Sequence, residues 1–318
     1  MDISHDHAIG IDIGGTNTKY GIVNHRGHIV FESSIKTDRY DNVEEYINDL
    51  YEKLQPEIAS REKMNFLGIG VGAPNGNFYT GNIEYAPNLK WKGVVPLAKL
   101  IGDKFNLPAK LTNDANAAAV GEMMYGAARG MKDFIMITLG TGVGSGIFAN
   151  GQLILGHDGF AGELGHVIII PGGRLHPGTG AKGSLESYAS ATGVAITAKE
   201  FLATENEPSI LRELVARDLD SKAVFDAALK GDVIAKKVFE YTGNILGQAL
   251  ANFVMFSSPQ AIILFGGLTK AGDILMKPVK ESMEKNLLPI FQNKVQLIFS
   301  ELKESDAAIL GASALVWG

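Results

Sequence analysis

Apolar residues open this chain in short unbroken runs and only later fall into helical spacing, so the pattern starts with strands. Ala8 to Ile13 reads as a buried strand, and residues 19 to 24 and 28 to 35 read as two more, joined through Asn24-His25-Arg26-Gly27. Together they predict a β-meander. Val43, Tyr46, Ile47, Leu50, Tyr51 and Leu54 then recur at three- and four-residue steps, one face of a helix, with Asn42 and Glu45 placed to start it as a capping box. Residues 66 to 71 and 106 to 112 predict two more strands, which gives the order β-β-β-α-β-α-β. Further on, 233 to 254 predicts a long helix with Val238, Tyr241, Ile245 and Leu246 on one side. It leads to a strand from Ala261 to Phe265 that ends in Gly266-Gly267, and the chain closes on a helix over Ala307 to Leu315.

The opening pattern returns. Asp133 to Leu139 is an apolar strand running into Gly140-Thr141-Gly142-Val143-Gly144-Ser145-Gly146, then an apolar run, a turn at Asn150-Gly151 and Gln152-Leu153-Ile154. Its counterpart, roughly 125 residues earlier, is Ile11-Asp12-Ile13-Gly14-Gly15-Thr16-Asn17-Thr18 followed by its own strand, turn and strand. The repeat predicts two related α/β domains facing one another across a cleft. No low-complexity stretch or polar tether interrupts the chain, so the boundary, expected between 117 and 133, is a helix or a hinge.

Composition narrows the class. The chain has 318 residues, 46% hydrophobic and 20% charged, which fits a globular protein large enough for two cores. Cys 0 excludes disulfides, a thiolate zinc site and a cysteine nucleophile. A net charge of −6 and the lack of any basic run argue against nucleic acid as a partner. The start, Met1-Asp2-Ile3-Ser4-His5-Asp6-His7, lacks the basic-then-apolar order of an export signal, so a soluble, cytoplasmic protein without a membrane partner is expected.

Two matched glycine turns suit a polyanion, because backbone N–H groups without side chains around them can approach phosphate oxygens. Gly14, Gly15, Thr16, Asn17, Thr18 and Lys19 form the first candidate segment, and Gly140, Thr141, Gly142, Gly144 and Ser145 the second. Asp12, at the tip of its strand, is placed to hold Mg²⁺ against phosphates or else to cap the turn. Gly68-Ile69-Gly70-Val71-Gly72-Ala73 matches a loose dinucleotide fingerprint, but Pro74-Asn75-Gly76 follows where a helix would have to open, and the match is discarded. Asn113-Asp114 ends a strand and opens a helix; Asp114 is either a helix cap or, if phosphates sit on the glycine turns, a base for an attacking hydroxyl. Glu163, His166 and Glu186 lie in a glycine- and proline-rich stretch from 156 to 190 that reads as a shaped loop fit for a hydroxyl-rich ligand. Asn88 is a turn residue or a further ligand contact.

These motifs, nearly end to end, resemble those of the ROK family of bacterial sugar kinases and repressors, in the actin-like, sugar kinase and heat-shock ATPase superfamily, with its glucokinase branch the nearest pattern. Asp12-Ile13-Gly14-Gly15-Thr16-Asn17, Ala86-Pro87-Asn88-Leu89, Asn113-Asp114-Ala115-Asn116, Leu139-Gly140-Thr141-Gly142-Val143-Gly144, Gly162-Glu163-Leu164-Gly165-His166, Leu185-Glu186 and Gly266-Gly267 carry the resemblance. It implies two ribonuclease H-like domains, each a mixed sheet flanked by helices: a smaller one over 1–117 joined by the helix 305–318, and a larger one over 118–304. It implies ATP and Mg²⁺ as cofactors, with Gly266 and Gly267 along the adenosine pocket. Asp114 would be the catalytic base, and Asn88, Asn113, Asp114, Glu163, His166 and Glu186 would bind the sugar. The implied reaction is phosphoryl transfer to a hexose 6-hydroxyl, with glucose first, an N-acetylglucosamine or N-acetylmannosamine substrate as the alternative, and a homodimer as the assembly. A repressor of this family would carry a DNA-binding segment ahead of the first phosphate segment, and eleven residues precede Asp12; a sugar-binding regulator without turnover would not need Asp114.

Two departures stand out. The family's Cys-x-Cys-Gly-x-x-Gly-Cys, a zinc site completed by the histidine of Gly-His, reads here Pro177-Gly178-Thr179-Gly180-Ala181-Lys182-Gly183-Ser184. Structural zinc is therefore not expected, and His166 with His176 alone makes a poor metal site. Pro74-Asn75-Gly76-Asn77 departs from the Pro-Gly-apolar pattern of glucokinase relatives, in a loop the resemblance sets beside the sugar.

Overall fold

The opening runs fold as read. In the computed structural model, which describes residues 5–214 and 219–317, the meander is β1 (Asp6–Ile13), β2 (Asn17–Asn24) and β3 (Ile29–Lys36). Met1 to Ser4, part of the stretch read for an export signal, and Gly318, the end of the expected C-terminal helix, lie outside the described residues. There follow α1 (Val43–Ala59), β4 (Asn65–Ala73), the short β5 (Ile83–Glu84) and β6 (Val94–Val95), α2 (Leu97–Phe105), β7 (Ala109–Asn113) and α3 (Asp114–Tyr125). Next come β8 (Phe134–Leu139), β9 (Val143–Ala149), β10 (Gln152–Leu153), α4 (Glu186–Ala189), α5 (Ala191–Thr204), α6 (Ser221–Leu229) and α7 (Val233–Ser257). The chain ends with β11 (Ala261–Phe265), α8 (Asp273–Asn286), β12 (Gln296–Phe299) and α9 (Glu304–Trp317).

The repeat seen in the sequence is a repeat of topology. One sheet runs β3-β2-β1-β4-β7 and the other β10-β9-β8-β11-β12. In the first, β1 pairs antiparallel with β2 and parallel with β4, which pairs parallel with β7. In the second, β8 pairs antiparallel with β9 and parallel with β11, which pairs parallel with β12. A parallel neighbour needs a crossover, and α1, α2 and α8 supply three of them. Asn42 starts α1 by accepting the N–H groups of Glu44 and Glu45 on its side-chain oxygen, and Tyr46, Ile47, Leu50 and Leu54 are the buried face the spacing predicts.

Two compact units result. One holds the chain through Met131, Gln152–Gly162 and the segment from Ser300 onward; the other holds Lys132–Gly151 and Glu163–Phe299. The first packs Ile9, Ile11, Leu50, Ile69 and Leu111 into its core, and the second packs Ile137, Val238, Phe239, Leu246 and Leu264. Each such fully buried aliphatic side chain contributes about 2 kcal/mol. α3 runs unbroken through residues 117 and 118, where the expected boundary would cut it, and a Cβ on its Gly121 would lie 2.8 Å from Gly311 of α9.

Gly70, one of the glycines that imitate a dinucleotide fingerprint, has another task, which it shares with Gly10 of β1. A Cβ on Gly70 would stand 1.8 Å from the Ala312 carbonyl oxygen, and one on Gly10 would stand 2.2 Å from that of Ile309. Bare backbone in β1 and β4 thus lets α9 lie directly on the first sheet. Among the described residues no helix is long and apolar enough to cross a membrane.

Candidate active site

In the first unit three parallel strands end side by side. Asp12 on β1 is in register with Gly72 on β4, Gly72 with Thr112 on β7, and Ala73 with Asn113. Asp114 follows as the first residue of α3. The carboxyl edge of parallel strands is where open α/β sheets bind ligands. A Cβ at Gly72 would be 3.4 Å from Asp12 Oδ1 and 3.6 Å from the Asp114 Cα, so this glycine is the spacer between the two acids.

The cap that competed with a catalytic role for Asp114 belongs to Asn113. Its Oδ1 accepts the Ala115 N–H at 2.8 Å, and Asp114 Oδ1 shares the same hydrogen at 2.8 Å. Asp114 keeps a face open to solvent, yet the protein around it displaces enough water for desolvation to raise its pKa, against the hydrogen bond from Ala115. Asp12 is raised to about 7, first by burial and then by the negative charge of Asp114, while Lys19, its cross-strand partner, pulls it down. Two carboxyls that feel each other titrate as a pair, and they make a ready donor set for a divalent cation.

The first glycine turn is closed by the Gly14 N–H to the Asn17 carbonyl at 3.0 Å, and Thr37 ties it down by donating to the Thr16 carbonyl at 2.8 Å. A Cβ on Gly15 would lie 2.9 Å from the Asn88 carbonyl, which puts the Ala86-Pro87-Asn88-Leu89 loop directly on the turn. Thr16, Asn17, Lys19 and Asn88 are exposed. Thr18 corrects the sequence reading: it is fully buried, bonded to Thr37 Oγ1 at 2.9 Å and Tyr46 Oη at 3.1 Å. Strand alternation turns it inward with Tyr20 and Ile22, so its hydroxyl is not offered to a phosphate.

In the second unit the Gly140 N–H donates to the Gly142 carbonyl at 3.0 Å, and the Gly140 and Thr141 carbonyls are taken by the Ala191 N–H at 2.8 Å and the Thr192 hydroxyl at 3.0 Å. The Gly144 N–H is committed to Thr138 Oγ1, and Ser145 Oγ is buried and accepts the Leu164 N–H, so both are structural rather than open to a ligand. Among the described residues, neither Gly15 and Thr16 nor Thr141 and Gly142 gives its N–H to a protein acceptor. Each turn therefore leaves two consecutive donors, the beginning of an anion nest. A Cβ on Gly140 would meet nothing within 4 Å. Gly266, at φ 105°, lets the end of β11 close on Leu139, and Gly267 opens the 3-10 turn beyond it.

The loop-rich stretch from 156 to 190 brings three predicted residues together. A 3-10 turn at Leu164–His166 presses on β9 so closely that a Cβ on Gly165 would be 2.1 Å from the Val143 carbonyl. Glu163 Oε2 lies 3.8 Å from His166 Nε2, and Glu186 Oε2 accepts the Val143 N–H at 2.7 Å. His176, counted from the sequence only as a partner of His166, stands 2.5 Å from Glu186 Oε1 through its Nε2. Arg174, which no motif marked, reaches Glu200 Oε1 at 2.8 Å and stacks on Tyr188. In the first unit Asn77 is buried, accepting the Tyr79 N–H and donating to the Asp158 carbonyl at 2.7 Å, so it holds its loop together.

The model of the ROK family matches residues 8–318. A glucokinase from Halalkalibacterium halodurans is 36% identical over 312 residues, covering 97% of this chain and 94% of its own, and one from Thermotoga maritima is 32% identical over 311, covering 97% and 96%. The crystal structure of a ROK family glucokinase from Streptomyces griseus, in complex with glucose and AMPPNP, superposes with a TM-score of 0.79 at 31% identity, over 97% of this chain and 98% of that one. The fold with its repeated sheet is thus one that relatives share over nearly their whole length, and this chain belongs to the ROK family.

Proposed function

We propose that the chain is a sugar kinase that moves the γ-phosphoryl group of ATP to the 6-hydroxyl of glucose. The observation that carries this reading is Asp114, a solvent-facing carboxyl at the end of β7 whose pKa is raised toward the working range of a base. Likeness to glucokinases over nearly the whole chain supports the substrate, and the AMPPNP of the S. griseus structure supports the donor. The open N–H pairs at Gly15–Thr16 and Thr141–Gly142 fit phosphate oxygens, Gly266 and Gly267 fit the adenosine side, and the acid pair at Asp12 fits magnesium. When bound, magnesium supplies positive charge that offsets the charge spreading over the phosphoryl oxygens in a loose transition state.

The hexose is held through Asn88, Asn113, Glu163, His166 and Glu186, whose acceptors and donors match its hydroxyls. Asp114 takes the proton of the 6-hydroxyl as that oxygen bonds to the γ-phosphorus and the bond from phosphorus to the β–γ bridging oxygen breaks, releasing ADP; alignment of the two substrates provides most of the acceleration. The family resemblance also supports a cytoplasmic homodimer. A coupled assay with magnesium-ATP and glucose, mannose, N-acetylglucosamine or N-acetylmannosamine tests the reading. It predicts glucose 6-phosphate with the highest kcat/KM; preference for an N-acetylated sugar would reassign the substrate, and no transfer to any of the four would overturn it.

A further inference from the structure

The loop from 171 to 184 lies where the family resemblance implies zinc, and its residues do not fit that ion. Its candidate ligands are His166, His176 and Glu186, whose ligand atoms all lie within 4.8 Å of one another. His176 Nδ1 accepts the Thr179 N–H at 3.1 Å, which assigns the ring proton to Nε2 in the neutral imidazole. A protonated Nε2 has no lone pair for a metal, and moving the proton to Nδ1 would set it against the Thr179 N–H, whereas a metal-bound histidine gives its second N–H to an acceptor. The 2.5 Å between Nε2 and Glu186 Oε1 is a hydrogen-bond distance; two ligands of one tetrahedral zinc stand about 3.3 Å apart.

We propose that His176 is the positioning residue that replaces the metal: its Nε2–H fixes the Glu186 carboxylate for the hexose, so the loop works without an ion. Glu186 is then held at both oxygens, by His176 at Oε1 and by the Val143 N–H at Oε2, and a Cβ on Gly142 would run into that second oxygen at 2.4 Å. A carboxylate fixed at both oxygens points its remaining lone pairs in set directions, which is what a pair of sugar hydroxyls requires. The imidazole is fixed in turn by its own backbone. The His176 N–H donates to the Ala181 carbonyl at 2.7 Å, its carbonyl accepts the Gly180 N–H at 2.8 Å, and a bridge joins Leu175 to Lys182. Arg174 anchors the base of this small hairpin through Glu200, the Ser187 carbonyl at 3.0 Å and Thr197 at 2.9 Å. Protein donors thus give the rigidity that thiolates and zinc would give.

This proposal rests on the reading of Glu186 as a hexose ligand. The test uses the intact chain with magnesium-ATP and glucose. His176→Ala should raise the glucose KM on the order of tenfold, the loss of one hydrogen bond to a charged group, with the ATP KM within about twofold of the parent. His176→Gln, whose amide keeps an N–H for Glu186, should recover most of that loss, and matching unfolding midpoints of the variants show that loosening of the fold is not the cause. The parent should contain no zinc and keep full activity in a strong zinc chelator. An unchanged glucose KM in His176→Ala, equal losses in the Ala and Gln variants, or one zinc per chain whose removal abolishes activity would each overturn the proposal while leaving the kinase reading in place. A parent that phosphorylates no hexose would overturn both.

Discussion

The two sheets share one strand order and differ in what they carry at the glycine turn. In the first, the next-to-last pair before the turn is Asp12 opposite Lys19; in the second it is Thr138 opposite Gly144. Both turns leave two consecutive N–H groups, and each has a carboxyl beside it; at the second it is Glu186, bonded to the Val143 N–H, whereas the first has Asp12 on its own strand and a second carboxyl, Asp114, across Gly72. The lesson is that one backbone scaffold, repeated, leaves the same pair of open N–H groups twice, while a few side chains give one copy a pair of interacting acids that the other lacks.

The glycines allow the sharpest separation of scaffold from chemistry. Gly70→Ala should cost about 4 kcal/mol or more, because its Cβ would meet the Ala312 backbone at 1.8 Å and α9 would have to lift; denaturant unfolding measures it, and a near-parental midpoint would contradict the packing described. Gly15→Ala should raise the KM for both glucose and ATP by about tenfold, since its Cβ presses on the Asn88 carbonyl. Gly140→Ala meets no protein atom and should raise only the ATP KM, by about tenfold, at parental stability. Equal behaviour of these last two would erase the difference between the turns.

The smallest effect is read from pH. Asp12 stands at about 7 when folded, above the ordinary value near 4, so its protonated form stabilises the fold fully below pH 4 and that contribution fades as the pH climbs through 7. Asp12→Asn, which does not ionise, should unfold about 5 °C above the parent at pH 8 without nucleotide or magnesium, with the gap closing near pH 4. Thr138→Val, at the matching place in the other sheet, should show no such pH-dependent gap.

Much of this was legible in the chain itself. The repeat could be read because unbroken apolar runs followed by glycine turns leave the same trace twice, and α1 because one apolar face and Asn42 mark it. The hairpin of β5 and β6 could not, since two residues per strand show no alternation. Strand β7 starts at Ala109 rather than 106 because Asn106 ends α2 in the left-handed region and Pro108 lacks an N–H. Thr18 follows the glycine turn closely enough to look like part of it, yet alternation with Tyr20 and Ile22 turns it inward, so the strand and not the turn decides its side. His176 and Arg174 sit in an irregular loop and meet partners ten and twenty-six positions away, Glu186 on α4 and Glu200 on α5, where no periodicity announces a contact.

The central claim is that Asp114 takes the proton of the attacking hydroxyl, and single-turnover phosphorylation of glucose by Asp114→Asn tests it most directly. The substitution keeps size and removes the base, so the rate should fall by about a thousandfold while glucose and nucleotide still bind. Transfer at the parental rate would contradict the account.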